Sequence, residues 1–141
     1  WNGDTADPAM NSGNHVMLVG DLIIWLCESL AGIASDPARP GFKHIIMRPQ
    51  PVGDLSFVSA SHRSPYGLIR SAWTRQTGAF EWEVEIPPNT TATLHVPARS
   101  GEAVTEDGKP LARVEGVRLL HAEAGRVVLD VGSGEYRFTV R

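Results

Sequence analysis

The stretch GLIRSAWTRQTGAFEWEVEI (residues 67–86) decides the fold. In its second half Phe80, Trp82, Val84 and Ile86 alternate strictly with Ala79, Glu81, Glu83 and Glu85. Successive strand side chains point to opposite faces, so this pattern predicts a strand with one buried and one solvated face. Thr77-Gly78 supplies a turn between it and GLIRSAWTRQ. Pairing around that turn sets Trp73 opposite Trp82, Ile69 opposite Ile86 and Arg70 opposite Glu85. Apolar then meets apolar and opposite charges meet. A one-residue slip would send every side chain to the wrong face.

Working outward, TATLHVP, VRLLHAE, RVVLDV and EYRFTVR follow as further short strands, the last two joined by Gly132-Ser133-Gly134. KHIIMRP and SFVSASHR precede the hairpin. From about residue 42 onward no helical period appears, and turn residues punctuate each run. Seven or eight short antiparallel strands predict a mainly β protein, an antiparallel β-sandwich with a jelly-roll-like layout.

The N-terminal third reads differently. Residues 1–13 (WNGDTADPAMNSG) are loop-like, and 14–34 (NHVMLVGDLIIWLCESLAGIA) predict a helix, with Ser12 or Asn14 to cap it and Gly32 near its end. The two prolines and the glycine of SDPARPGF then break the helix. Between Val16 and Ile33 the only charges are Asp21 and Glu28, spaced i, i+7 on one narrow stripe. A surface helix carries a polar face over about half its circumference; this one is apolar nearly all round. Two carboxylates and several Gly or Ser residues argue against a membrane span. The pattern fits a helix packed among other helices, which this chain does not supply.

Composition removes several classes of function. The 141 residues are 42% hydrophobic and 21% charged, with a formal charge of −3 and no run of Lys and Arg. Neither nucleic acid nor an anionic membrane is expected as a partner. Cys27 is the only cysteine and lies in an apolar run, where a buried, inert thiol is expected. His15, His44, His62, His95 and His121 are widely spaced and form no metal-ligand motif, so no metal and no cofactor is expected. The chain opens on Trp1 without a signal-like segment. That opening suggests a piece of a longer protein, with a cytoplasmic location favoured.

The runs MNSGNHVMLVGDLIIWLCESLAGI, DPARPGFKHIIMRPQP, SPYGLIRSAW and IPPNTTATLHVPA occur here in that order. Together they resemble the C-terminal end of bacterial α-L-rhamnosidases of glycoside hydrolase family 78. In that family an Asn-His pair opens a late helix of an (α/α)6 catalytic barrel. A Pro-Gly-Phe/Tyr-Lys segment then leads into a C-terminal β-sandwich. The resemblance implies three parts: residues 1–34 as the last loop and helix of the barrel, 35–41 as a linker, and 42–141 as the sandwich. It also implies an inverting glycosidase that releases terminal L-rhamnose. Its partners would be a rhamnose-containing carbohydrate and the rest of the barrel. Inversion needs two carboxylates about 6.5–9.5 Å apart, with a water between one of them and the sugar. By resemblance the general acid lies far upstream. The base lies in a Glu-x-Trp-like motif whose tryptophan corresponds to Trp1. No catalytic residue is therefore assigned to this chain, and in isolation it is expected to be inactive.

What the resemblance leaves here is a sugar-binding set: His15 and Asn14, with Trp1 and, less directly, Asn11. A neutral imidazole offers a sugar hydroxyl one donor and one acceptor. The competing reading of His15 is a local hydrogen bond at the helix start, and that of Asn14 is an N-cap. Trp1 has a ring that could stack on a sugar. Asp21 and Glu28 lie about 10 Å apart along one helix stripe and read as solvent-facing or buried polar groups. Trp73 and Trp82 raise a rival from another class: a carbohydrate-binding module with an exposed tryptophan platform. Their burial decides between platform and core. The remaining rivals are a structural scaffold without sugar contact and the β-sandwich of a related (α/α)6 glycosidase with a different sugar specificity.

Overall fold

The computed structural model describes residues 15–141, with the side chains of residues 15–18 and 102 outside that description. The described residues start with α1 (His15–Trp25), which runs into one π-helical turn (Leu26–Leu30). Eleven strands follow among the described residues: β1 (Ile33–Ser35), β2 (His44–Met47), β3 (Phe57–Ser64), β4 (Gly67–Gln76), β5 (Ala79–Ile86), β6 (Thr91–Val96), β7 (Val104–Glu106), β8 (Lys109–Pro110), β9 (Val117–Glu123), β10 (Arg126–Val131) and β11 (Gly134–Val140). They form a sandwich of two sheets, ordered β1-β2-β6-β10-β9 and β3-β4-β5-β11-β7-β8.

The hairpin that opened the sequence reading has the expected register. Arg70 pairs with Glu85, Trp73 with Trp82, and Gln76 with Ala79, leaving Thr77-Gly78 as the turn. Gly78 takes φ +80°, a conformation glycine adopts without cost. The ion pair is displaced by one step on the same face: Arg70 reaches Glu83 Oε2 at 3.4 Å, and Arg137 reaches Glu83 Oε1 at 3.0 Å. All three groups are well exposed, so the network contributes at most about 1 kcal/mol.

Stability comes from the inner faces. Trp73, Trp82 and Phe138 form one cross-strand row through β4, β5 and β11. Trp73 is 1% exposed, and Trp82 and Phe138 are fully buried. Trp82 and Phe138 sit 6.4 Å apart at 48°, within the range of favourable ring contacts. From the facing sheet Ile45, Met47, Leu94, Val96, Val127 and Leu129 close the same core. Each such side chain contributes about 1.5–3 kcal/mol by leaving water.

Two features depart from expectation. The helix ends at Leu30 rather than at 34, because Gly32 at φ +78° turns the chain away from the helical path. Ile33–Ser35 then pair antiparallel with Ile45–Met47, and Ile33 enters the core. The sheets are not wholly antiparallel: β2 and β6 run parallel, from His44↔Thr91 to Met47↔Leu94. The Gly132-Ser133-Gly134 link from β10 to β11, whose sheets the sequence did not assign, crosses from one sheet to the other.

Candidate functional site: the joint between helix and sandwich

Of the residues expected to meet sugar, Trp1, Asn11 and Asn14 lie outside the described residues. His15 is the first helical residue of α1, and its side chain is likewise outside the description. The structure therefore places the backbone that carries His15, and shows how that backbone is held.

Along the described side chains from Val19 to Leu26 almost nothing is covered. Val19, Leu22, Ile23, Ile24, Trp25 and Leu26 are 41–57% exposed. Residues 22–25 step through about 300° of the helix, so apolar surface faces outward on every side. Asp21 and Glu28 are exposed as well. Cys27, expected to be buried, is half-exposed in the π-helical turn. Burial begins at Leu30 and Ala31.

At that end the chain is gripped. The last carbonyls of a helix lack intrahelical partners and must find donors elsewhere when buried. Those of Ser29, Leu30 and the cap residue Ala31 do so here, and so does the next one, of Gly32. Gln50 N–H donates to Ser29 O at 3.1 Å, and Arg48 N–H donates to Gly32 O at 2.8 Å. Between them Trp73 Nε1–H donates to Leu30 O at 2.8 Å, and the Ser71 hydroxyl donates to Ala31 O at 2.6 Å. Trp82 Nε1–H donates in turn to Ser71 Oγ at 2.9 Å. Ser71 is fully buried, so its oxygen accepts from Trp82 and its one proton is committed to Ala31. The strand leaving β2 is itself pinned, because the Arg126 guanidinium donates to Pro49 O at 2.9 Å and to His95 O at 3.1 Å. Gly32 allows the two segments to meet: a Cβ there would lie 2.2 Å from Pro49 N and 2.3 Å from Arg48 C.

This grip is what sequence reasoning missed. Trp73 and Trp82 were read as core against a sugar platform, and their burial settles that choice for the core and against an exposed platform. Each buried indole N–H nevertheless requires an acceptor, which was the available signal. What no sequence pattern revealed is that those acceptors are the helix carbonyl and the serine that serves it.

Two histidines on the outer face of the first sheet have imidazoles biased toward the neutral form. His44 Nδ1 lies 2.7 Å from Thr91 Oγ1 and its Nε2 lies 2.9 Å from Thr93 Oγ1. Burial pushes the His44 imidazole below its ordinary value, with Arg39 adding to the effect. His95 is also pushed down by burial first and by Arg48 next, against the pull of Glu123 3.6 Å away. His121 Nε2 sits 3.4 Å from the other oxygen of the same carboxylate. Among the described residues no cluster of His, Cys, Asp and Glu has the geometry of a metal site.

Residues 32–110, more than half of the chain, match the family of the bacterial alpha-L-rhamnosidase C-terminal domain. The chain belongs to that family. An alpha-L-rhamnosidase of Streptomyces avermitilis is 34% identical over 139 residues, covering 99% of this chain and 12% of that protein. One from Formosa agariphila is 31% identical over 132 residues, covering 94% of this chain and 14% of the other. Among solved structures, that of the Streptomyces avermitilis alpha-L-rhamnosidase complexed with L-rhamnose superposes with TM-score 0.80 at 33% identity, over 99% of this chain and 12% of the other. The alpha-L-rhamnosidase from Dictyoglumus thermophilum gives TM-score 0.76 at 27% identity, over 89% of this chain and 14% of its own. This rhamnosidase C-terminal domain thus spans 12–14% of the length of these relatives. The matched region includes Gly32, Arg48, Gln50, Ser71, Trp73 and Trp82, so the donors that grip the helix lie inside it, with the carbonyls of Ser29, Leu30 and Ala31 just before it.

Proposed function

We propose that this chain is the C-terminal part of a glycoside hydrolase that releases terminal L-rhamnose from α-L-rhamnosides with inversion. In this reading residues 1–30 complete an (α/α)6 catalytic barrel, and the sandwich caps that barrel. α1 brings His15, with Asn14 and Trp1 beside it, to the sugar pocket. One observation carries the reading: an apolar helix, exposed on all sides, is bonded through four carbonyls to a rhamnosidase C-terminal sandwich. A helix of that kind needs cover from other helices, and a barrel supplies it. The catalytic carboxylates belong to the rest of the barrel, so the isolated chain does not turn over substrate.

The test compares the 141-residue chain with the longest protein encoded by its reading frame, both assayed on an aryl α-L-rhamnoside. The longer protein is expected to release rhamnose, with the β-anomer appearing first by NMR, while the chain alone is silent. Turnover by the isolated chain, or a longer protein inert on rhamnosides, would overturn the proposal.

A further inference from the structure

We infer that Ser71 and Trp73 are positioning residues for the sugar pocket. Through the carbonyls of Ala31 and Leu30 they set the angle of α1 and hence the place of its far end at His15. The inference rests on the proposed role of His15 and adds the residues that determine where His15 stands.

Three observations support it. The grip is concentrated at one end, while α1 from Val19 to Leu26 is exposed and touches little of the sandwich. The helix direction relative to the sandwich is therefore decided at residues 29–32. The donors also come from two separate elements, the β4 side chains Ser71 and Trp73 and the backbone of residues 48 and 50. Two jaws fix an orientation where a single bond would leave a swivel. Finally, each jaw is braced from behind. Trp82 fixes the direction of the Ser71 hydroxyl, and Arg126 ties Pro49 to the first sheet. A helix end that needed only satisfied carbonyls could have used water or its own next residues.

The lever is long. From Leu30 back to His15 the helix spans roughly 20 Å. A tilt of about 3° at the grip then moves the His15 end by about 1 Å, a displacement that can cost up to about 100-fold in rate.

The experiment uses the whole rhamnosidase, with Ser71→Ala, Trp73→Phe, His15→Ala and the two doubles that combine His15→Ala with each grip variant. Trp73→Phe keeps an aromatic ring in the core but removes the N–H together with part of the indole, whereas Ser71→Ala removes only a hydroxyl, so either variant remains informative if the other fails to fold. Each grip variant is expected to lower kcat/KM on an aryl α-L-rhamnoside by about 10- to 100-fold in folded enzyme. In the His15→Ala background the same changes should cost less than about twofold, because the displaced group is already gone. Losses that simply multiply in the doubles would mean that the grip acts on the whole fold, and would overturn the inference. If His15→Ala is impaired while both grip variants keep the wild-type rate, the inference fails and the proposed pocket stands. If His15→Ala itself matches wild type, the pocket assignment fails and takes the inference with it.

Discussion

Replacing Gly32 with alanine tests the joint at its tightest point. At φ +78° an alanine backbone is strained by about 1–2 kcal/mol. Its Cβ would also lie 2.2 Å from Pro49 N and 2.3 Å from Arg48 C, both backbone atoms that no rotamer change can clear. The segments must separate by about 1 Å to reach ordinary contact. That movement breaks or stretches the 2.8 Å bond from Arg48 N–H to Gly32 O and the 3.1 Å bond from Gln50 N–H to Ser29 O, each worth about 1 kcal/mol. The sum is about 3–4 kcal/mol, a large part of the 5–15 kcal/mol typical of a domain. Gly78 is the internal control. Its φ of +80° is nearly the same, but nothing lies within 4 Å of a Cβ there, so Gly78→Ala should cost only the backbone strain. Urea titrations of wild type, Gly32→Ala and Gly78→Ala, followed by tryptophan fluorescence, measure the difference directly. Gly32→Ala should be the less stable by about 2 kcal/mol or more. Equal destabilisation, within about 0.5 kcal/mol, would refute the claim that the close approach of residues 32 and 48–49 contributes to stability.

Other consequences are open to measurement. His44 and His95 both have imidazoles pushed below their ordinary value of about 6.5, so the unfolded chain takes up protons that the folded one refuses. Stability should therefore be full above about pH 6.5 and fall as pH drops below it. Denaturation at pH 7.5 and pH 5.5 should show the fall in wild type and a smaller one in a His44→Gln, His95→Gln double variant; a flat wild type would contradict it. The uncovered helix predicts that the 141-residue chain self-associates. Placing Lys at Leu22, Ile23 and Trp25, each about half exposed, should shift light scattering toward monomer with little change in unfolding midpoint. If the Lys variant associates as strongly as wild type, that surface is not responsible.

Much of the sandwich was legible because strand alternation reports burial directly. Phe80, Trp82, Val84 and Ile86 face the core as their period demands, and the register through Trp73↔Trp82 follows from one turn and one pattern. The strands hardest to read were the short ones. Ile33–Ser35, Val104–Glu106 and Lys109–Pro110 have two or three residues each, too few for a period to show. Ile33 in particular continues an apolar helical run, and only Gly32 marks the change. Two histidines showed nothing of their setting: His44 and His95 carry no motif, and the downward push on their imidazoles comes first from burial and then from Arg39 and Arg48, against the pull of nearby carboxylates.

The amino-acid sequence by itself determined the class of fold, the central hairpin, the order of a helical start and a β remainder, and the apolar helix that calls for neighbours. Those features rest on local periodicity and turn chemistry, which act over a few residues. Only the tertiary structure decided which sheet each strand joins, the parallel pairing of His44–Met47 with Thr91–Leu94, and the fate of the helix carbonyls. The last choice is made between Ala31 and Ser71, 40 positions apart, and between Leu30 and Trp73, 43 apart. A buried N–H or hydroxyl must find an acceptor, but its residue type does not say which. That is settled when packing brings β4 against the end of the helix and leaves one carbonyl within reach of each donor.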